Sequence, residues 1–324
     1  MRAVQAKRFG GPEVLEVTEV AEPVAGAGQA VVEVAAVDTI FVETQIRSGA
    51  FAEPFGVRTP YVPGGGVAGT VVAVGDGVSE AWLGRRVVGS VGVRGGYAAK
   101  AVAAESRLVA VPDGLGLREA AALAHDGATA EALLEATGLH AGDTVLILGA
   151  SGGMGTLLVQ LAKAAGAKVV GVARGAEKTG LVRELGADGI VDATVGRDWT
   201  EAARAALGEG GADVVLDGVG GEMGLAAFGL LTDGGRFSAH GAPTGGFAEI
   251  DPAEADSRGV KLTGIAEVQL ADDAYTRLLT RALKAAAEGR LCPVVGGTFP
   301  LERASDAHRA IEERSLRGKV LLTA

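Results

Sequence analysis

Two hydrophobic rhythms divide the chain. Up to about residue 115, apolar and polar positions alternate in short runs: MRAVQAKR, EVLEVTEV, QAVVEVAAV, VAGTVVAVG, RRVVGSV and GYAAKAV. Period-two alternation broken by Gly and Pro predicts half-buried strands. Pro60, Pro63 and the run Gly64–Gly65–Gly66 punctuate them. This stretch therefore predicts a β-rich domain, a partly open barrel. From about residue 119 the period lengthens. EAAALAHDGATAEALLEATG reads as a helix, TVLIL as a buried strand, GMGTLLVQLAKAAG as a helix and KVVGVA as a strand. EKTGLVREL, DWTEAARAAL and EMGLAAFGLL continue as helices between the strands GIVDA, ADVVLD, GRFSAH and VKLTGI. Strand and helix in alternation predict βαβ crossovers and a doubly wound parallel sheet of about six strands. After about residue 266 a long helix, a strand, a helix and a last strand (GKVLLT) follow. That tail is too short for a domain of its own and is expected to return to the first one.

The turn between TVLIL and the next helix carries the first candidate chemistry. In LGASGGMG the three working positions of G-x-G-x-x-G are Ala150, Gly152 and Gly155. They serve a tight turn, a close backbone approach to a pyrophosphate, and close helix–strand packing. Ser151, Gly153 and Met154 complete the loop, and the helix N–H groups and positive dipole end face the phosphates. The alternative is a purely structural turn. The strand that follows ends at Ala173, where an NAD site wants a carboxylate for the ribose 2′-hydroxyl. Arg174 stands there instead, with Lys178 one turn on. Two cations suit a 2′-phosphate and favour NADPH, against the alternative that both are solvated helix-start charges.

Composition narrows the class. Aromatic residues make up 4% of the chain and apolar residues 48%, so the core must be Val, Leu, Ile and Ala. A net charge of −10 argues against nucleic acid and anionic membrane surfaces. Cys292 is the only cysteine, which excludes an internal disulfide and a cysteine zinc cluster. No apolar run approaches membrane-spanning length, and MRAVQAKRFGG reads as a strand rather than a signal segment. A cytoplasmic location is expected.

The chain resembles the medium-chain dehydrogenase/reductase superfamily, and within it the zinc-free quinone oxidoreductases. AGDTVLILGASGGMGTLLVQLAKAAGAKVV carries the resemblance, with GPEVLEV, ETQIRSGAF, VPGGGVAGTVVAVG, GRRVVGSV, DGATAEALL, LDGVGG, GRFSAHGA and GKVLL in family order. It implies an α/β fold: a GroES-like β-rich domain, 1–118 with 267–324, and an inserted Rossmann domain, 119–266. It implies a cleft in which NADPH passes hydride to a small-molecule electrophile, and a homodimer built on the Rossmann sheet edge. Thr129 of the GATA segment is implied to border the nicotinamide, and Val219, His240, Gly241 and Lys319 are expected as further cofactor contacts.

Zinc-binding relatives place ligands where this chain has Ile40 and Gly65–Gly66. Ile and Gly offer no ligand atom, and tetrahedral zinc needs three or four. No metal is therefore expected. Without one, a carbonyl must be polarised by hydrogen bonds or charge. The expected pocket comprises Ile40, Gln45, Phe51, Tyr61 and Asp126, with Phe247 adding apolar surface. Relatives often carry Tyr at the positions of Gln45 and Phe51, so no tyrosine acid carries over to them. Gln45, Tyr61 and His240 are the candidate catalytic groups; for Tyr61 a packed core aromatic is the alternative. Asp126 has helix capping as its alternative. Arg47 and Glu43 read as structural, with Arg47 pairing a nearby acid. The expected activity is reduction of a quinone or an α,β-unsaturated carbonyl. The alternatives are a specialised enoyl reductase of polyketide or acyl intermediates and a non-enzymatic NADPH-binding redox sensor.

Overall fold

The computed structural model describes residues 1–194 and 199–324. The helix expected from DWTEAARAAL starts, as described, at Trp199, and Asp198 lies outside the described residues. The chain divides into two compact units, Met1–Ala128 with Ala271–Ala324, and Thr129–Leu270.

In the first unit β1 (Arg2–Ala6) and β2 (Leu15–Glu19) form an antiparallel ribbon. The main sheet begins with β3 (Gln29–Thr39), the longest strand. Helix α1 (Phe41–Ser48) follows and stops at Gly49, whose φ of 98° is a left-handed cap that glycine adopts at least cost. Next come β4 (Gly66–Val74), β5 (Arg86–Ser90), β6 (Lys100–Ala104) and β7 (Leu108–Ala110). Val34, Val37 and Val67 lie in one buried cluster and Val32 and Val87 in another, with Val88 beside Val87 also fully buried, so the sheet is packed on both faces.

The helical stretch expected at 119–138 is two helices, α2 (Leu117–Leu123) and α3 (Asp126–Thr137). Tertiary bonds break it. The Tyr275 hydroxyl donates to the Ala124 carbonyl at 2.8 Å, and the His125 N–H donates to Asp38 Oδ2 at 3.2 Å. Helix α2 packs on β3, β4 and β5. It therefore groups with the β-rich unit, not with the nucleotide-binding unit in which residues after 118 were expected.

The second unit alternates β8 (Thr144–Leu148), α4 (Gly153–Ala164), β9 (Lys168–Ala173), α5 (Ala176–Glu184), β10 (Gly189–Asp192), α6 (Trp199–Leu207), β11 (Ala212–Asp217), α7 (Gly221–Phe228), β12 (Leu231–Ala239), α8 (Pro252–Ser257) and β13 (Lys261–Gly264). The strands lie in the order β10-β9-β8-β11-β12-β13 and every pair is parallel. Counting β8 as first, this is 3-2-1-4-5-6, the order of two mononucleotide-binding halves. Val145, Leu146, Ile147 and Leu148 of β8 are at most 1% exposed, as a strand covered on both faces must be. Helix α8 was absent from the hydrophobic pattern. Its signal is polar: Asp251 caps it by accepting the Ala253 N–H at 2.9 Å, and Pro252 opens it.

The tail runs α9 (Asp272–Ala287), β14 (Val295–Pro300), α10 (Ala304–Glu312) and β15 (Lys319–Thr323). β15 pairs antiparallel with β3, setting Leu321 opposite Asp38, and β14 lies parallel outside it. The resulting sheet is ordered β14-β15-β3-β4-β5-β7, with β6 also on β3.

Close packing of α4 on β8 depends on Gly155. A Cβ there would stand 2.2 Å from the Gly149 carbonyl oxygen and 2.7 Å from the Ala150 Cα. Both neighbours are backbone and cannot yield cheaply. Gly155→Ala is expected to cost about 1–3 kcal/mol of unfolding free energy, read by urea denaturation; an unchanged midpoint would show that the helix can retreat.

Candidate functional site

In the second unit the phosphate loop is built by backbone. Its tight turn is made by Gly149, φ 68°, one residue before the position expected to make it. Ala150 is fully buried instead, its N–H bonded to the Val172 carbonyl at 3.0 Å and its Cβ beside Gly171 of β9. Gly152, exposed, is the N-cap of α4 and donates to the Gly149 carbonyl at 3.0 Å. The first i→i−4 bond of α4 runs from the Thr156 N–H to the Gly152 carbonyl, 2.9 Å. The N–H groups of Gly153, Met154 and Gly155 precede it, so they are the helix-end donors that an anion uses. Ser151 is buried beneath the loop.

The loops after β11 and β12 converge on Asp217. Its Oδ1 accepts the N–H groups of Val219 and Gly220, both at 2.8 Å, folding the chain back after β11. Its carbonyl accepts the N–H groups of His240 and Gly241, at 3.0 and 3.2 Å. Burial raises the Asp217 pKa, against those two backbone donors. Val219 Cγ2 in turn lies 3.3 Å from where a Cβ on Gly149 would be. Three expected cofactor contacts, Val219, His240 and Gly241, are thus gathered beside the phosphate loop by a residue that the sequence reading did not single out. Arg174 is exposed and Lys178 half-buried at the start of α5, and Thr129 is buried in the first turn of α3.

In the first unit one cluster of charged groups is buried. Lys319 Nζ lies 2.7 Å from Asp38 Oδ1 and 2.8 Å from Asp126 Oδ2. The three residues are 5%, 1% and 5% exposed. Burial alone would lower the lysine's pKa, but the Asp126 and Asp38 carboxylates outweigh it and hold the pKa above its usual value. Asp38 is shifted upward, by burial first and by the neighbouring Asp126, against the pull of Lys319. Two carboxylates share one ammonium. Lys319, expected as a cofactor contact, and Asp126, expected in the substrate pocket, therefore spend their charges on each other and on Asp38.

A second buried network holds α1. Glu43 Oε1 accepts the Gly65 N–H at 3.0 Å, and Oε2 accepts the Ile40 N–H at 3.1 Å and the Tyr97 hydroxyl at 2.8 Å. Tyr97 Oη lies 2.9 Å from His308 Nε2. With Tyr97 donating to Glu43, the network assigns the imidazole proton to Nε2. Burial lowers His308 to about 3 and raises Glu43 to about 7. Arg47 pairs with Glu312 at 2.5 Å and bonds the Gly10 carbonyl at 3.1 Å, the structural role its motif suggested. Tyr61 is 5% exposed within the hydrophobic core, its hydroxyl without a hydrogen-bond partner. Gln45 and Ile40 are half-buried, and Phe51 packs at the edge of the same core.

A family model described as alcohol dehydrogenase GroES-like domain matches residues 26–113, and one described as zinc-binding dehydrogenase matches 153–298. Quinone oxidoreductase of Rattus norvegicus is 33% identical over 325 residues, covering 99% of this chain and 97% of its own. That of Sus scrofa is 35% identical over 327 residues at the same coverage. Among solved structures, a mycobacterial protein complexed with NADPH matches at TM-score 0.91 and 31% identity over the whole of both chains. Escherichia coli quinone oxidoreductase complexed with NADPH matches at TM-score 0.91 and 26% identity, also over both whole chains.

The chain does not fit the zinc in that family description. A Cβ at Gly65 would stand 2.6 Å from the Gly92 carbonyl oxygen, and one at Gly66 would stand 2.9 Å from the Ala124 Cβ. Side chains bearing ligand atoms have no room there, and among the described residues no group of three or more His, Cys, Asp or Glu is disposed to hold a metal.

Removing the shared ammonium tests the charge cluster. Lys319→Met would leave Asp38 and Asp126 buried without a counter-charge, an expected loss of about 3–5 kcal/mol at pH 8. The Asp38 pKa, already raised in the folded state, would then rise further above its unfolded value of about 4. The folded state would take up protons first as pH falls, so the deficit shrinks toward pH 5. Urea unfolding at both pH values measures it; a deficit equal at both contradicts unpaired buried carboxylates.

Proposed function

Because the chain belongs to the quinone oxidoreductase family of the medium-chain dehydrogenase/reductase superfamily and is an NADPH-dependent oxidoreductase, we propose that its substrate is a quinone or an α,β-unsaturated carbonyl compound. The observation that carries the reading is the loop Gly149–Gly155. Gly152 is exposed, with only the Gly149 carbonyl oxygen within 4 Å of where a Cβ would stand, the helix-end N–H groups of α4 follow it, and two cations come after the end of β9.

When bound, the reduced nicotinamide supplies a hydride. The N–H groups of Gly153, Met154 and Gly155 hold the pyrophosphate, with Ala150, Ser151 and Gly152 shaping the loop. Arg174 and Lys178 take the 2′-phosphate. Thr129, Val219, His240 and Gly241 orient the nicotinamide.

On the substrate side, Ile40 and Phe51 give an apolar wall suited to a flat, uncharged ring. The Gln45 amide, whose side chain makes no hydrogen bond among the described residues, is the group proposed to donate to the substrate carbonyl. His240 is half-buried on a loop and is preferred as proton donor to Tyr61, which the core encloses. For Tyr61, burial raises the phenol pKa further, which makes it a weaker acid. We place the enzyme in the cytoplasm; among the described residues no helix is long and apolar enough to cross a membrane. Its homodimer would form on the edge strand β13, where Leu262 is 40% exposed.

The test is NADPH oxidation with 1,4-naphthoquinone, 1,4-benzoquinone and simple enones. Turnover with at least one is expected. Tight NADPH binding with no electrophile reduced would favour a sensor, and activity confined to acyl-carrier enones would favour the specialised enoyl reductase. Arg174→Ala is expected to weaken NADPH binding about 10-fold or more, the usual loss for one charge-assisted hydrogen bond. Equal NADPH affinity in the variant would remove Arg174 from the 2′-phosphate.

A further inference from the structure

The connection between β9 and α5 is only Arg174 and Gly175. Both of its flanks are tied to the end of β10. The Ala193 N–H donates to the Ala173 carbonyl at 2.8 Å, and the Gly175 N–H donates to Asp192 Oδ1 at 2.9 Å. The same oxygen accepts the Thr194 N–H at 2.9 Å and the Thr194 hydroxyl at 2.7 Å. Gly175 sits at φ 81°, ψ 159°, a conformation that glycine alone holds without strain. A free glycine would sample many others. Arg174, between two anchored peptide units, projects into solvent and makes no hydrogen bond or ion pair among the described residues.

We propose that Asp192 is the positioning residue for cofactor selectivity: by holding the Gly175 N–H it fixes the connection so that Arg174 is presented to the adenosine 2′-phosphate. The proposal rests on the NADPH reading above.

A carboxylate near the end of β9 would ordinarily argue the other way, since an acid there accepts the ribose 2′-hydroxyl and selects NADH. Here it arrives from the neighbouring strand, and its Oδ1 is already taken by three donors. Those bonds, the Gly175 N–H foremost, hold the carboxyl below its usual pKa and keep it an ionised acceptor at neutral pH. The donors also offset its charge, which lessens its repulsion of a phosphate. The carboxylate thus acts on the loop, and the loop acts on the cofactor.

The experiment is fluorescence titration of the purified protein with NADPH and with NADH, which needs no turnover. The wild type is expected to bind NADPH more tightly. Asp192→Ala should lower the NADH-to-NADPH ratio of dissociation constants about fivefold or more, by weakening NADPH alone. Asp192→Asn keeps an oxygen for the Gly175 N–H and should restore the ratio. Gly175→Ala, which strains the same conformation, should mimic Asp192→Ala and stands in for it if that variant does not fold. If the wild type does not prefer NADPH, the underlying cofactor reading fails. If it does, three results overturn the positioning role: an unchanged ratio in Asp192→Ala, tighter NADPH binding in that variant, or an Asp192→Asn that falls as far as the alanine.

Discussion

One ammonium organises the first unit. Lys319 arrives at the end of the chain, on β15, and meets Asp38 from β3 and Asp126 from the head of α3. Three segments distant in sequence are joined at a single buried point. Breaking such a cluster strands a charge in a medium that cannot solvate it, so the arrangement is held all at once or not at all. Consequences follow along the chain. Asp38 also takes the His125 N–H, and Tyr275 takes the Ala124 carbonyl, so the helical run is cut into α2 and α3 at that place. The head of α3 is thereby set by the charge cluster rather than by helix propensity.

The second unit is organised by backbone rather than by charge. Gly149 turns the chain, Gly155 lets α4 close on it, and Asp217 folds the loop after β11 while its carbonyl gathers the one after β12. Each of these acts on main-chain groups. A site for a pyrophosphate needs that, because its oxygens are best met by N–H donors at a helix end. The two cations proposed to meet the 2′-phosphate, Arg174 and Lys178, lie at the start of α5, Arg174 exposed and Lys178 half-buried.

Much of the architecture was legible from the residues. The change from period two to helical spacing located both kinds of sheet, and strand–helix alternation predicted about six parallel strands; the order 3-2-1-4-5-6 is given by the structure. GASGGMG announced a phosphate loop, although the left-handed turn falls on Gly149 rather than at the fingerprint's first position. The expectation of no zinc came from the resemblance, which places ligand positions at Ile40 and Gly65–Gly66, residues with no ligand atom. The polar interior was not legible. Asp38 reads as one of several polar residues flanking the first-domain helix, Tyr97 as an unremarked strand residue, and Lys319 as a cofactor contact. The partners that give them meaning are far away in the chain; His308 is one, 211 positions beyond Tyr97.

By itself, then, the sequence determined what depends on neighbours: strand and helix periods and the glycines that permit turns. Tertiary structure decided which ionisable groups are spent and which stay available. Asp126, Lys319 and Tyr61 resemble site residues as letters, yet folding encloses them, whereas Gln45, Arg174 and His240 are left at least partly open. The physical reason is that desolvation and ion pairing depend on distances across the fold, and residue order along the chain does not carry them.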